Sequence, residues 1–140
     1  MQHTMRLNKE PFEMIKSGKK TIELRLYDEK RRMISEGDKI EFVNTSDGSQ
    51  RIYCTVLKLH RFDSFKTLYN SLPLLKCGYT ESDIALASST DMEKYYSKEK
   101  QEKAAGECVG FGGVKLWFTN TLDFWKQKCV PCLLPLGIAL

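Results

Sequence analysis

The 140-residue sequence is short of the features that mark specialised protein classes. It has two histidines, four prolines and two tryptophans, with no internal repeat, low-complexity stretch or Gly/Ser-rich linker. The longest uncharged stretch, residues 129–140, contains two prolines, and it falls well short of the roughly 20 apolar residues a membrane helix needs. No apolar run precedes the first charges at the N-terminus (Met1-Gln2-His3-Thr4-Met5-Arg6), so no secretory signal is expected. These absences predict a soluble, cytoplasmic protein with no membrane partner. A hydrophobic content of 41% and a charged content of 29% are close to the globular average and exclude a disordered or fibrous chain. The length suits one domain with a single core.

Metal and redox chemistry are equally under-provided. Five cysteines (Cys54, Cys77, Cys108, Cys129 and Cys132) are an odd number in a chain with no export signal, which predicts reduced thiols. Cys129 and Cys132 form a CxxC with no second pair, and His3 and His60 are distant from it in sequence. A structural zinc needs four ligands at short paired spacings. A redox CxxC needs a helix after it, which Pro131 and Pro135 break. No metal and no cofactor are expected.

What the chain does have is short alternating segments. Met5 and Leu7 suit an opening strand; Asn8 is placed to cap a helix with Pro11 in its first turn and Gly18 beyond its end. Residues 21–27 switch to period two, with Ile22, Leu24 and Leu26 on one face and Thr21, Glu23, Arg25 and Tyr27 on the other. Residues 28–36 are a charged loop, and residues 39–44 alternate again. Asp47-Gly48 marks a hairpin, and residues 51–60 return with their apolar side switching near Val56-Leu57, the mark of a bulge or of burial on both faces. Ser64 caps a helix broken near Pro73. A capped segment starts at Ser82-Asp83, a polar helix runs from Thr90-Asp91 to about Lys103, and residues 108–118 form a closing strand. This order predicts an α+β fold with a curled sheet or small β-barrel and flanking helices. Residues 119–140 carry Phe124, Trp125 and Leu133-Leu134 without a clear period. They form an atypical apolar tail after a domain spanning 1–118, suited to packing on the domain or to contact with a protein partner.

The net charge is +4, and its distribution is uneven: Lys16, Lys19, Lys20, Arg25, Lys30, Arg31 and Arg32 lie within seventeen residues. Glu23 and Arg25, two apart on a strand, stand on one face about 7 Å apart. Lys20 enters the same strand, so a carboxylate is flanked by two cations, which favours its ionised form. The carboxylate can accept from an exocyclic amine, and the cations can donate to a carbonyl or phosphate. Lys19 and the loop cations Arg31 and Arg32 offer further contacts to a polyanion, and Tyr27, Tyr95 and Tyr96 offer stacking faces for bases. The same trio is also compatible with a solvated strand face of cross-strand ion pairs.

Gly18-x-Lys20-x-x-Glu23-x-Arg25, then Glu36-Gly37-Asp38-x-Ile40-x-Phe42, then Asp91-Met92-x-x-Tyr95-Tyr96-Ser97 before the closing strand, resembles the ASCH (activating signal cointegrator homology) domain over roughly residues 3–118. The resemblance implies a PUA-like fold, a small β-barrel with helices beside it. It also implies a cleft floored by Lys20, Glu23 and Arg25 that binds RNA or a nucleoside-type ligand. Some bacterial members are amidohydrolases that deacetylate N4-acetylcytidine, with a lysine-x-x-threonine pattern and a later glutamate. Here Glu23 stands where that threonine would be, and Glu81 and Glu93 match the later glutamate only by rough position. Binding is therefore the first expectation and hydrolysis, with Lys20 and Glu23 as catalytic residues, the alternative. Lys20 and Glu23 are both expected to be partly exposed, so that Lys20→Ala and Glu23→Ala abolish function at little cost in stability.

Overall fold

A computed structural model describes residues 1–104, 106–112 and 115–117, the last three as backbone. The apolar tail, the CxxC within it and the end of the expected closing strand lie outside the described residues. Within them the chain runs β1 (Gln2–Leu7), α1 (Lys9–Lys16), β2 (Glu23–Leu26), α2 (Glu29–Arg32), β3 (Lys39–Asn44), β4 (Arg51–Thr55), β5 (Lys58–Phe62), α3 (Phe65–Ser71), α4 (Lys98–Lys103), β6 (Cys108–Gly112) and β7 (Lys115–Trp117). Three 3₁₀ turns, Leu74–Cys77, Ile84–Leu86 and Ser89–Lys94, fill the stretch between α3 and α4.

The strands form an α+β fold of two sheets, one ordered β1-β3-β4-β7 and the other β2-β6-β5. The β3–β4 hairpin is antiparallel, closed by the Asp47 turn in which the backbone N–H of Ser49 donates to the Asp47 carboxylate. β1 lies parallel to β3, its return path being α1, β2 and α2. Two arms pass from one sheet to the other at the same level: Thr55 of β4 pairs with Lys115, and Lys58 of β5 pairs with Gly112. The expected switch near Val56-Leu57 is this bend. Val56 turns into the core, donates its N–H to the carbonyl of Asp38, and leaves Leu57 exposed.

The expected barrel is not closed among the described residues. No backbone ladder joins β1 to β2, each of which is an edge strand of its own sheet, paired on one side only, to β3 and to β6. The Arg25 guanidinium crosses the gap instead, donating from Nη2 to the carbonyl oxygen of Arg6 at 2.8 Å.

The β2-β6-β5 sheet separates two apolar cores. Phe12, Ile15, Ile40, Phe42, Ile52 and Phe111 are among those filling the space between the sheets. Leu24 and Leu26 of β2, with Ile22 just before it, face the other way, onto Phe65, Leu68 and Met92. Period two in β2 therefore sends Glu23 and Arg25 toward the seam side of the first core, opposite Phe111 and Val109 of β6.

Two further expectations change. The charged loop at 28–36 contains a helical turn, α2, capped by Asp28, whose carboxylate accepts from the N–H of Arg31. The polar helix expected from 90 to 103 is two pieces, each started by a serine cap. Ser88 and Asp91 form a capping box on the Ser89–Lys94 turn, and Ser97 caps α4. With no continuous apolar stripe to hold one long helix, the second cap wins.

Candidate functional site

The end of α1 sets the first cation in place. Gly18 takes φ +80, closing the helix in the left-handed region that suits glycine. The next residues then fold back, the N–H of Lys20 donating to the carbonyl of Met14. The N–H groups of both Thr21 and Ile22 donate to the carbonyl of Lys76, tying the mouth of β2 to the Leu74–Cys77 turn. Gly78 follows that turn at φ +109, and a Cβ there would stand 3.3 Å from Cδ of Lys20. The Lys20 side chain lies across this glycine.

Lys20, Glu23 and Arg25 converge as the spacing predicts. Glu23 Oε2 is 2.6 Å from Lys20 Nζ, and Glu23 Oε1 accepts from Arg25 Nε at 2.9 Å. The expectation of a partly exposed carboxylate is overturned: Glu23 is only 4% exposed. It stands on the inward face of a strand at the seam, and both its oxygens are turned to the cations. Burial acts to raise its pKa, but the charges and hydrogen bonds of Lys20 and Arg25 outweigh that and hold it below the ordinary carboxylate value. Burial likewise acts to lower the pKa of Arg25, and Glu23, with Tyr96 beside it, raises it above the usual value. Glu23 is held ionised as the counterion shared by Lys20 and Arg25.

These groups floor a cleft of about 420 Å³ at the seam between β1 and β2, within the usual size of small-ligand sites. One wall is β1 and α1 with its cap, including Arg6, Asn8 and Met14; the other comes from Tyr69, Tyr79, Asp91, Tyr95 and Tyr96. Tyr69 and Tyr79 share a hydrogen bond of 2.8 Å, and the Tyr79 hydroxyl donates to Asp91 Oδ2 at 2.6 Å. The same oxygen accepts from the N–H of Ser88. Burial and the bond to Asp91 push the Tyr79 phenol upward, while the Tyr79 and Ser88 hydrogen bonds pull Asp91 downward. Asp91 is thus an ionised, fixed acceptor in the cleft wall.

The other expected site residues are distributed differently. Tyr95 lines the cleft half-exposed, with Lys94 Nζ 5.0 Å from its ring centroid. Tyr96 lines it too, its ring stacked on Phe65 at 6.1 Å. Tyr27 does not reach the cleft; it is buried in the first core with the guanidinium carbons of Arg32 and Arg61 4.6 and 5.5 Å from its ring centroid. Arg32 is paired with Glu107, and Lys19 is exposed and away from the cleft. Arg31 pairs with Asp28 at 2.8 Å and lines a neighbouring groove. Glu81 and Glu93 are exposed and do not line the cleft; Asp83 and Asp91 do.

Tyr69, Tyr79, Gly78 and Arg6 went unread in the sequence. Asp91 was read as the start of a helix and in the motif Asp91-Met92-x-x-Tyr95-Tyr96-Ser97, and the Ser-x-x-Asp spacing from Ser88 is the signal that could have marked it as a fixed acceptor. Cys54, Cys77 and Cys108 are buried free thiols. Burial pushes Cys54 up to about 12, the charge of Glu23 adding to it, and pushes Cys77 up to about 11. Neither is a nucleophile at neutral pH. Among the described residues no three His, Cys, Asp or Glu side chains gather as a metal site, and no helix is long and apolar enough to cross a membrane.

The seam cleft and its charged trio lie inside a region, residues 5–114, that matches the ASCH domain. The chain belongs to the ASCH domain family. Among solved structures, this ASCH chain is similar to the hypothetical protein PH0355 at 30% identity and TM-score 0.64, covering 84% of this chain and 100% of that one. It is similar to protein PF0455 from Pyrococcus furiosus at 30% identity and TM-score 0.58, over 83% of this chain and 97% of that one. An ASCH protein from Zymomonas mobilis shares the fold at 17% identity and TM-score 0.53, over 81% and 66% of the two chains. No curated protein matches the sequence.

Proposed function

We propose that this ASCH domain binds a single nucleobase, free in a nucleoside or unpaired in RNA, in the cleft between β1 and β2. The carrying observation is the cleft's composition: the cations Lys20 and Arg25, the fixed carboxylates Glu23 and Asp91, and tyrosine rings of which Tyr95 is half-exposed, around about 420 Å³. A base has a flat apolar face and an edge of mixed donors and acceptors, which such a lining complements. Membership in a family suggested to bind RNA supports the same reading. The contacts are reassigned by the geometry. Because both oxygens of Glu23 are held by Lys20 and Arg25, Glu23 orients the cations, which use their remaining N–H groups on ligand oxygens. Asp91 is the acceptor for an amine edge and Tyr95 the stacking face.

Isothermal titration with the four ribonucleosides and with short unpaired RNA tests this. Tyr95→Ala, at a half-exposed ring, is expected to lose about 1–3 kcal/mol of binding, the worth of one base stack, with unchanged stability. Absence of any nucleoside or RNA binding by the folded protein overturns the reading.

The hydrolytic alternative on N4-acetylcytidine is favoured by one observation, the 2.6 Å approach of Lys20 Nζ to Glu23 in the cleft. A lowered pKa makes Glu23 a weak general base at neutral pH. Deacetylation followed by chromatography, beside a Lys20→Ala control, decides it. Turnover that disappears in the variant establishes the enzyme, and no turnover removes it.

A further inference from the structure

A second groove, of about 640 Å³, runs on the far side of Arg25, between β1 and the segment carrying α2. Arg6 and Arg25 line both cavities; the bond from Arg25 Nη2 to the Arg6 carbonyl is the divide between them. The character of the two differs. The first has aromatic rings and the carboxylates of Glu10, Glu23, Asp83 and Asp91. The second has Arg6, Arg25, Lys30 and Arg31 and neither aspartate nor glutamate among its lining residues.

Carboxylates do stand nearby. Asp28 takes one nitrogen of Arg31, and Asp38 takes His3 Nε2 at 2.8 Å. Arg6 and Lys30 have no carboxylate partner within ion-pair distance among the described residues. Cations left unpaired around a concave surface make a site for a polyanion.

Resting on the reading of the first cleft as a base pocket, we propose that this groove is a phosphate subsite. It takes the sugar-phosphate backbone that leads away from the bound base, so that the preferred ligand is an unpaired oligonucleotide rather than a free nucleoside. The path runs over the Arg25–Arg6 divide, with Lys30 and Arg31 on the phosphates beyond it. Arg32 is not on this path, since Glu107 and the Tyr27 ring hold it.

The experiment is titration of the full chain with cytidine, its 3′- and 5′-monophosphates and hexacytidylate, and with the adenine series in parallel, between about 50 and 200 mM salt. The hexamer is expected to bind at least about tenfold more tightly than the nucleoside. Lys30→Ala/Arg31→Ala is expected to weaken the hexamer about tenfold, lower its salt slope by about one to two, and leave nucleoside affinity unchanged. The exposed Lys9→Ala, outside both cavities, serves as the charge control. If a monophosphate matches the hexamer, the subsite holds one phosphate and the polymer path is overturned. A double variant that binds the hexamer like wild type overturns the phosphate subsite and leaves the base pocket standing. Hexamer binding that depends on Lys30 and Arg31, with equal affinity for a base-free ribose-phosphate chain, overturns the base pocket and with it the path leading from a bound base. Binding of neither overturns both.

Discussion

At the scale of single residues the chain is organised around one buried carboxylate. Glu23 sits where an uncharged side chain would be expected, at 4% exposure, and its two cations keep it ionised. Removing one partner of a buried ion pair leaves the other uncompensated. Glu23→Ala, which strands Lys20 and Arg25 side by side, is therefore expected to cost about 3–5 kcal/mol of stability, read from urea denaturation. Lys20→Ala leaves Glu23 with Arg25 and is expected to cost less while weakening ligand binding. A loss in Glu23→Ala no larger than in Lys20→Ala contradicts this arrangement. The pH dependence has a defined sign. The folded pKa of Glu23 is below its ordinary value of 4.5, so its contribution to stability is complete above that value and is lost as pH falls through the folded pKa. Denaturation midpoints between about pH 2 and 7 should fall more gently in Glu23→Gln than in wild type. Glu41 is a second nearly buried acid, held by Thr4, Arg51 and Tyr53 within the first sheet. It lies away from the cleft, so burial of a carboxylate does not by itself mark the site.

At the scale of elements, caps and turns position the cleft. The Leu74–Cys77 turn and Gly78 lie beneath Lys20, and the capping box of Ser88 and Asp91 fixes the wall opposite. Gly78→Ala combines a φ of +109 with a Cβ 3.3 Å from the lysine stem. It is expected to cost about 1–3 kcal/mol from backbone strain and to weaken ligand binding by displacing Lys20; paired denaturation and titration curves check both. The elements themselves were largely legible. Alternation in residues 39–44 gave β3, the Asp47-Gly48 turn gave its hairpin, and Gly18 gave the end of α1. The break between the Ser89–Lys94 turn and α4 was written in Ser97 as a cap, but a uniformly polar run gives no periodicity to show where one helix stops.

At the scale of the whole molecule, the feature on which the proposed binding rests is the open seam. Two sheets share bent arms on one side, and on the other Arg25 bridges to the Arg6 carbonyl where no backbone ladder joins β1 to β2 among the described residues. Arg25→Lys keeps the positive charge beside Glu23 but cannot both pair with it and span to β1. It is expected to lose about 1.5–3 kcal/mol, the worth of a hydrogen bond to a charged group, and to speed amide hydrogen exchange along β1. Unchanged exchange in β1 would show that the bridge does not hold the seam.

The sequence by itself determined β1 to β3, α1 and α3, and the convergence of Lys20, Glu23 and Arg25, because period two and a glycine-ended helix are local and their geometry follows from a few residues. The single strands expected over 51–60 and 108–118 are instead β4 with β5 and β6 with β7, divided between the two sheets. Only the tertiary structure decided that Glu23 is buried and Tyr27 is core. It alone brought Tyr69, Tyr79 and Asp91 opposite the trio and left β1 and β2 without a ladder between them. Those outcomes depend on which strands become neighbours and which faces meet across two sheets, relations between residues as distant as Glu23 and Phe111, 88 positions apart in sequence, and no local pattern encodes them.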